Sequence, residues 1–315
     1  MIRAILVCAI AAFPSLAAAQ PGGAVMRIVV PFAAGGAREV LARTFYSELG
    51  AALGTTAIID NRPGAGGAIG TASVAKAAPD GQTLIFAASS HNVTALLGAN
   101  PPYDPIRDFA AVANIGMQSY ALMVSSQVPA DSVGAFLRYA RARPGELNYA
   151  SAGHGSSSHL AMAYFAHLAG LAMVHIPFKS TQDATNDVLA GRSHALIVPN
   201  VGAIPYSRDG RVRILAVTSR ERSPFLPAEP PVAETLPGYE FDSWFGLLAP
   251  ARTPKPVIER INAEVGRLLR EPAILKRLAS QGVVPRPLSP EAFARLIRED
   301  YEETASVVKA VGSIE

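Results

Sequence analysis

Strand-like runs rich in β-branched residues alternate with stretches whose apolar residues return every three to four positions, and the alternation holds along most of this chain. Such a pattern dictates α/β units on a parallel sheet, because a strand can rejoin its neighbour in parallel only through a crossing helix. Arg27-Ile28-Val29-Val30-Pro31-Phe32 predicts the first strand. Gly35-Gly36 then leads into one helical stretch over Arg38 to Leu53, where Leu41, Phe45, Leu49 and Leu53 form a single stripe. Thr56 to Asp60 and Thr83 to Ala87 predict two further strands, with a short helix over Ile69 to Ala78 between them. The pattern resumes with strands at Ala121 to Val124, Leu147 to Ala150, Val174 to Ile176, Ala195 to Val198 and Ile214 to Val217. Two such series predict two lobes. Asn114 to Ser125 and Tyr239 to Pro250 are long, mostly apolar and extended, as a pair of crossing hinge segments would be. Lobe one is therefore expected at 25–120 plus 246–315, and lobe two at 121–245. Thr253-Pro254 and Ser289-Pro290 each place a capping side chain before a proline, the mark of a helix start.

The first residues follow a different logic. Met1-Ile2-Arg3, an apolar run from Ala4 to Leu16, and Ala17-Ala18-Ala19 before Gln20 describe a secretory signal peptide cleaved after about Ala19. The run is shorter than the roughly 20 residues that span a bilayer. The single cysteine, Cys8, lies inside this segment, so the mature chain is expected to be exported to the periplasm without disulfides. Net charge is +3 over 315 residues, too mild to call for a nucleic-acid partner.

The loops after the strands collect small and polar residues: Ala33 to Gly36, Ser89 to Asn92, Gly153 to Ser158 and Lys179 to Thr181. In open α/β sheets ligands bind off the carboxyl ends of the strands. Helix N-termini there offer free N–H groups and a positive dipole end to an anion. Other chemistries fit less well. Gly64-Ala65-Gly66-Gly67-Ala68-Ile69-Gly70 lacks dinucleotide-fingerprint spacing and the acidic residue for a ribose, so no cofactor is expected. Gly153-His154-Gly155-Ser156-Ser157-Ser158-His159 lacks the Gly-x-Ser-x-Gly elbow of a secreted α/β hydrolase. The six histidines are scattered with no His-x-x-x-His pair, so no metal site is expected.

Three strings carry a resemblance in the first third of the mature chain: Ile28 to Gly36, Asn61-Arg62-Pro63-Gly64-Ala65-Gly66-Gly67, and Ala78-Pro79-Asp80-Gly81. Tyr149 to Gly153 with Gly155 to Leu160, Leu215 to Ser219, and Ser243-Trp244-Phe245-Gly246-Leu247 continue it in order. In these the chain resembles the Bug-type receptors, the periplasmic solute-binding components of tripartite tricarboxylate transporters. The resemblance implies a type II periplasmic-binding-protein fold: two α/β lobes joined by two crossing hinge segments and closing on one ligand. It implies a monomeric receptor, not an enzyme, that hands a small carboxylate to transporter membrane subunits; an alternative is a sensor that passes its ligand state to a membrane partner.

The binding residues implied are Phe32, Ala34, Gly35, Gly36, Arg38 and Glu39 after the first strand, and Ser89, His91 and Asn92 after the third. From the other lobe come Gly155, Ser156, Ser157 and His159, then Ser180, Thr181 and Val198. The chain departs from the family pattern at Arg38, Glu39, Ser180 and Ile197-Val198-Pro199, where the family often has a small residue, Asp, Gly and Phe-Asp-Asn. Losing an acid at Val198 and gaining Arg38 argue against a free amino acid. They favour an acid with an apolar body, or one with a second carboxylate within reach of Arg38, unless Arg38 is a solvated partner of Glu39.

Overall fold

The structure is a computed structural model that describes residues 25–97, 101–206 and 208–311. The signal segment lies outside the described residues. Among them, ten strands form one curled, mixed sheet: β1 Val25–Val30, β2 Thr56–Asn61, β3 Thr83–Ala88, β4 Phe109–Ser125, β5 Asn148–Ser151, β6 Val174–Pro177, β7 Ala195–Pro199, β8 Val212–Val217, β9 Asp242–Pro250 and β10 Val284–Pro285. The order runs β2-β1-β3-β9-β4-β7-β5-β6, with β8 and β10 also paired to β4.

The parallel sheet read from the sequence holds for β1 with β2 and β3, and for β5 with β6 and β7. It fails at the two crossing strands. β9 is antiparallel to both β3 and β4, and β4 is antiparallel to β7 and β8. Each crossing strand enters the opposite half directly, with no helix to turn it round, so it arrives reversed. The 17-residue β4 makes the join. Its Ser119 still pairs with Asp242 of β9, while Tyr120 already pairs with Pro199 of β7.

The apolar core divides at this point. In the first half, Ile28, Val30, Leu84 and Phe86 point into one cluster, and Val29, Ile85 and Ala87 into another on the opposite face. That alternation follows from the two-residue period of a strand covered by helices on both faces. The second half repeats it, with Leu122, Val124 and Ile197 in one cluster and Ala121, Met123, Leu196 and Val198 in the other.

Two helix readings need correction. The stretch over Arg38 to Leu53 is two helices, Ala37–Ala42 and Tyr46–Ala52. Thr44 donates its hydroxyl to the Leu41 carbonyl, and Phe45 leaves helical geometry at φ −144. The stripe still buries Leu41, Phe45 and Leu49. Ser289 caps its helix, Pro290–Val311, by accepting from the Ala292 N–H. Thr253 does not cap: its hydroxyl donates to the Pro250 carbonyl, and the helix Lys255–Leu268 starts after Pro254.

Candidate functional site

The first-half loops and the second-half loops meet across the β4–β9 crossing. β1 ends at Val30 and the chain turns through Phe32 to Gly36, where Gly35 takes φ +81, a left-handed conformation that favours glycine. Glu39 sits at the third position of the next helix and folds back to accept from the Gly35 N–H, one residue before the N-cap Gly36. Its other oxygen accepts from Arg43 Nε at 2.7 Å. The Gly35 N–H bond, then Arg43, hold its carboxyl below the usual range. Glu39 therefore shapes the loop, and its salt bridge is to Arg43.

That pairing leaves Arg38 without its expected neighbour. Its guanidinium lies over the Phe32 ring at 3.9 Å from the centroid. Its Nη1 is buried and has no hydrogen-bond partner among the described residues. Burial pushes the Arg38 guanidinium down to about 10, with the Tyr120 phenol acting the other way. Burial also raises Tyr120, whose hydroxyl lies beside Ser157 and Ser243. The Tyr120 phenol thus has two hydroxyls beside it and the Arg38 cation within electrostatic reach.

Across the crossing, β5 runs out at Ser151 and the loop to Gly155 carries two left-handed glycines, Gly153 and Gly155. A Cβ at Gly155 would stand 3.0 Å from Leu97 of the first half, so the halves approach closely here. Ser156 is the N-cap of the helix Ser157–Ala169. Its Oγ accepts from the His159 N–H at 3.3 Å and donates to the Gly153 carbonyl at 2.7 Å. Ser157 lines an open cavity of about 800 Å³, with Ser89, Ser119, Tyr120 and Ser243.

The other expected residues have different surroundings. Ser89 bonds the Trp244 backbone in both directions, which ties the third-strand loop to β9. His91 is locked to the Pro105 carbonyl at 3.0 Å and stacked on Tyr103. Asn92 reaches the Ile297 carbonyl and Asp300 of the C-terminal helix. Ser180 caps the helix Thr181–Leu189, accepting from the Asp183 N–H; Thr181 gives its carbonyl to the Thr185 hydroxyl. Val198 is fully buried in the second-half core beside Ala121 and Ala203. Ala34 and Gly36 are exposed on the loop before Arg38.

Sequence reasoning treated the crossing segments as connectors and missed Tyr120, Asp242 and Ser243. It also read the histidines as scattered, and that needs correction: His154, His159 and His175 each bring a ring nitrogen within 4.8 Å of the other two. The parallel pairing of β5 with β6 sets His175 beside Tyr149, a proximity that spacing along the chain does not encode.

Six carboxyl side chains among the described residues line the cavity, and two of them, Asp242 and Asp300, are strongly shifted. Burial pushes Asp242 and Asp300 each up to about 7. A carboxyl raised above its unfolded value, about 3.9, holds its proton more tightly in the folded chain. The stability it contributes is full below the unfolded value and falls as pH rises through 7. His91, driven down to about 4 by burial, works oppositely: its stability is lost as pH falls below its unfolded value of about 6.5. The two acids therefore lower stability as pH rises from about 4 to 7 and add no further slope above it, while His91 raises stability between about 4 and 6.5. Asp300→Asn should therefore lessen the fall in melting temperature in thermal melts run from pH 4 to 7; an unchanged profile would show that this acid stays ionised.

The profile of the family described as tripartite tricarboxylate transporter family receptor matches residues 41–313. A UPF0065 protein in the tcbD-tcbE intergenic region of Pseudomonas sp. strain P51 is 35% identical over 89% of this chain and 84% of its own. A Rhodopseudomonas palustris protein, Rpa4515, solved with adipate, superposes with TM-score 0.78 at 33% identity, covering 91% of this chain and 97% of that one. MatC from the same species, solved with bound malate, gives 0.74 at 33% identity over 90% and 98%. Among the described residues no helix is long and apolar enough to cross a membrane.

Proposed function

Because the chain belongs to the family of tripartite tricarboxylate transporter receptors, we propose that it is a periplasmic receptor that captures a small carboxylate between its two halves and presents it to a membrane transporter. The observation that carries the ligand class is Arg38, a half-buried residue whose buried Nη1 has no hydrogen-bond partner among the described residues. A cation held that way is costly until an anion meets it. Tyr120, within electrostatic reach of Arg38, adds a hydroxyl donor with Ser157 and Ser243 beside it, and the N-terminus of the helix Ser157–Ala169 adds dipole. The relatives solved with adipate and malate are consistent with a dicarboxylate of a few carbons. Phe32, under the guanidinium, suits an acid with an apolar body.

Function in this reading is differential binding. The open form admits the acid, and closure about the Ser119–Tyr120 and Asp242–Ser243 crossing excludes water from the charge pair. Lobes at 25–120 plus 246–315 and at 121–245 would then move against each other.

A thermal-shift screen over aliphatic and aromatic mono-, di- and tricarboxylates, with zwitterionic amino acids and neutral amides as controls, tests this. An acid at 100 times its dissociation constant adds about 2.7 kcal/mol of stability. Shifts confined to acids support the reading; shifts with amino acids or amides alone contradict it.

The two serines separate by role. Ser156→Ala removes a cap and is expected to lower stability by about 1 kcal/mol. Ser157→Ala is expected to leave the melting temperature of the free protein nearly unchanged and to weaken acid binding roughly tenfold to a hundredfold, since a hydrogen bond to a charged group is worth about 1.5–3 kcal/mol. Calorimetry on both variants checks this; wild-type affinity in Ser157→Ala would remove that hydroxyl from the site.

A further inference from the structure

A second cluster stands apart from Arg38, at the carboxyl ends of β5 and β6. His154 is exposed on the loop after β5, His159 is buried on the first turn of the helix Ser157–Ala169, and His175 is half-buried on β6. The His159 and His175 rings stack at 3.8 Å between centroids, and His154 stands edge-on to both, at 5.6 and 4.8 Å. One ring nitrogen from each lies within 4.8 Å of the other two. Core packing accounts for the inner pair, which continues a stack onto Tyr149. It does not account for His154, which brings a third imidazole to the pair from the solvent side.

We propose that His154, His159 and His175 form a binding site for a divalent transition-metal ion of the zinc, nickel or copper class. Imidazole nitrogen suits these ions, and three histidines with an outward position open to water are a recurrent donor set for them. The surroundings orient the donors. Ser151 Oγ lies 2.6 Å from His175 Nε2 and also contacts the Gly153 carbonyl and N–H. With its proton on the Gly153 carbonyl, Ser151 accepts from His175 Nε2, which leaves the Nδ1 lone pair for a metal; this is the outer-shell contact that ligating histidines use. His159 Nδ1 accepts from the Gly155 N–H at 3.1 Å, so a metal at that nitrogen must displace this bond, and one at Nε2 must displace the ring proton.

Metal bonds of about 2.0–2.1 Å set tetrahedral nitrogens roughly 3.3 Å apart, so the trio must tighten. The exposed His154 can swing inward, and the stacked pair must rotate out of parallel for both lone pairs to converge. Gly153 and Gly155, both in the left-handed region, flank His154 and let the loop follow.

The test uses the mature chain without a polyhistidine tag, stripped with chelator and titrated with Zn²⁺ and Ni²⁺ by calorimetry, with Co²⁺ absorption as a spectroscopic readout. The expected result is one ion per chain and a tetrahedral-type cobalt band. His154→Ala removes an exposed side chain and leaves the core intact; it should weaken binding about tenfold or more and abolish the band. His175→Phe keeps a ring in the stack and should do the same, while His167→Ala, a surface change elsewhere on the helix, should do nothing. Absence of stoichiometric binding, or binding that survives both His154→Ala and His175→Phe, would overturn the proposal. Metal binding is the readout, so its failure leaves the carboxylate reading intact.

Discussion

Arg38→Met is expected to weaken binding of the preferred acid by a hundredfold or more while leaving the ligand-free protein at least as stable as the parent. Methionine keeps an unbranched apolar stem against Phe32 and removes the charge. Truncating one partner of a buried, hydrogen-bonded charge pair costs about 2–5 kcal/mol or more of binding, and here the other partner is the ligand's carboxylate. The ligand-free protein loses nothing comparable. Arg38 Nη1 makes no hydrogen bond among the described residues, and burial is the leading cause of the drop to about 10. Removing a partly desolvated cation relieves part of its desolvation cost, against the loss of its stacking on Phe32. Calorimetry and thermal melts on the same preparation measure both quantities. Parental affinity in Arg38→Met, or a folded state that collapses without the guanidinium, would mean that Arg38 serves structure and not the ligand.

The second large effect is on the fold, and it depends on where a methyl group lands. Gly246 lies mid-way along β9, between Asn114 of β4 and Ala87 of β3. A Cβ there would press on the Phe293 ring, 2.6 Å from Cε1, and stand 2.7 Å from the Ala113 carbonyl oxygen. Phe293 is fully buried, edge-on to Trp244, and seats the helix Pro290–Val311 on the sheet. The ring cannot swing away, and the carbonyl belongs to the paired strand. Overpacking of this kind costs about 1–3 kcal/mol and occasionally more. Gly246→Ala is expected at the upper end or beyond, about 3 kcal/mol, which is a fall of roughly 6–12 °C in melting temperature. Gly266 is the counterpart. It lies inside the helix Lys255–Leu268, and a Cβ there meets nothing within 4 Å. Gly266→Ala should stabilise by about 0.5–1 kcal/mol through helix propensity alone. Equal melting temperatures for the two variants would contradict the packing described at the crossing.

What the sequence disclosed and what it withheld follow one physical rule. Local periodicity located β1, β3, β5, β7 and most helices within a few residues, because burial of alternate or every-fourth side chains is written along the chain. Direction was withheld where no helix intervenes, so β4 and β9 were recognised as crossing segments but not as antiparallel strands. Partnerships between distant residues were withheld too. The Glu39–Arg43 salt bridge sits at helical i,i+4 spacing and was available to find; recognising it would have released Arg38 from its expected pairing with Glu39. The meeting of Tyr120, Ser157 and Ser243 needs three strands in register, and the approach of His175 to His154 and His159 needs the β5–β6 pairing.

The account rests on one claim, that the cleft between the two halves recognises a carboxylate by its charge. The most direct measurement is calorimetric titration of the mature chain with the strongest acid from the screen and, in parallel, with its neutral methyl ester. The account predicts one acid per chain, an ester at least a hundredfold weaker, and loss of most of that difference in Arg38→Met. Equal affinity for acid and ester, or undiminished discrimination without Arg38, would contradict it.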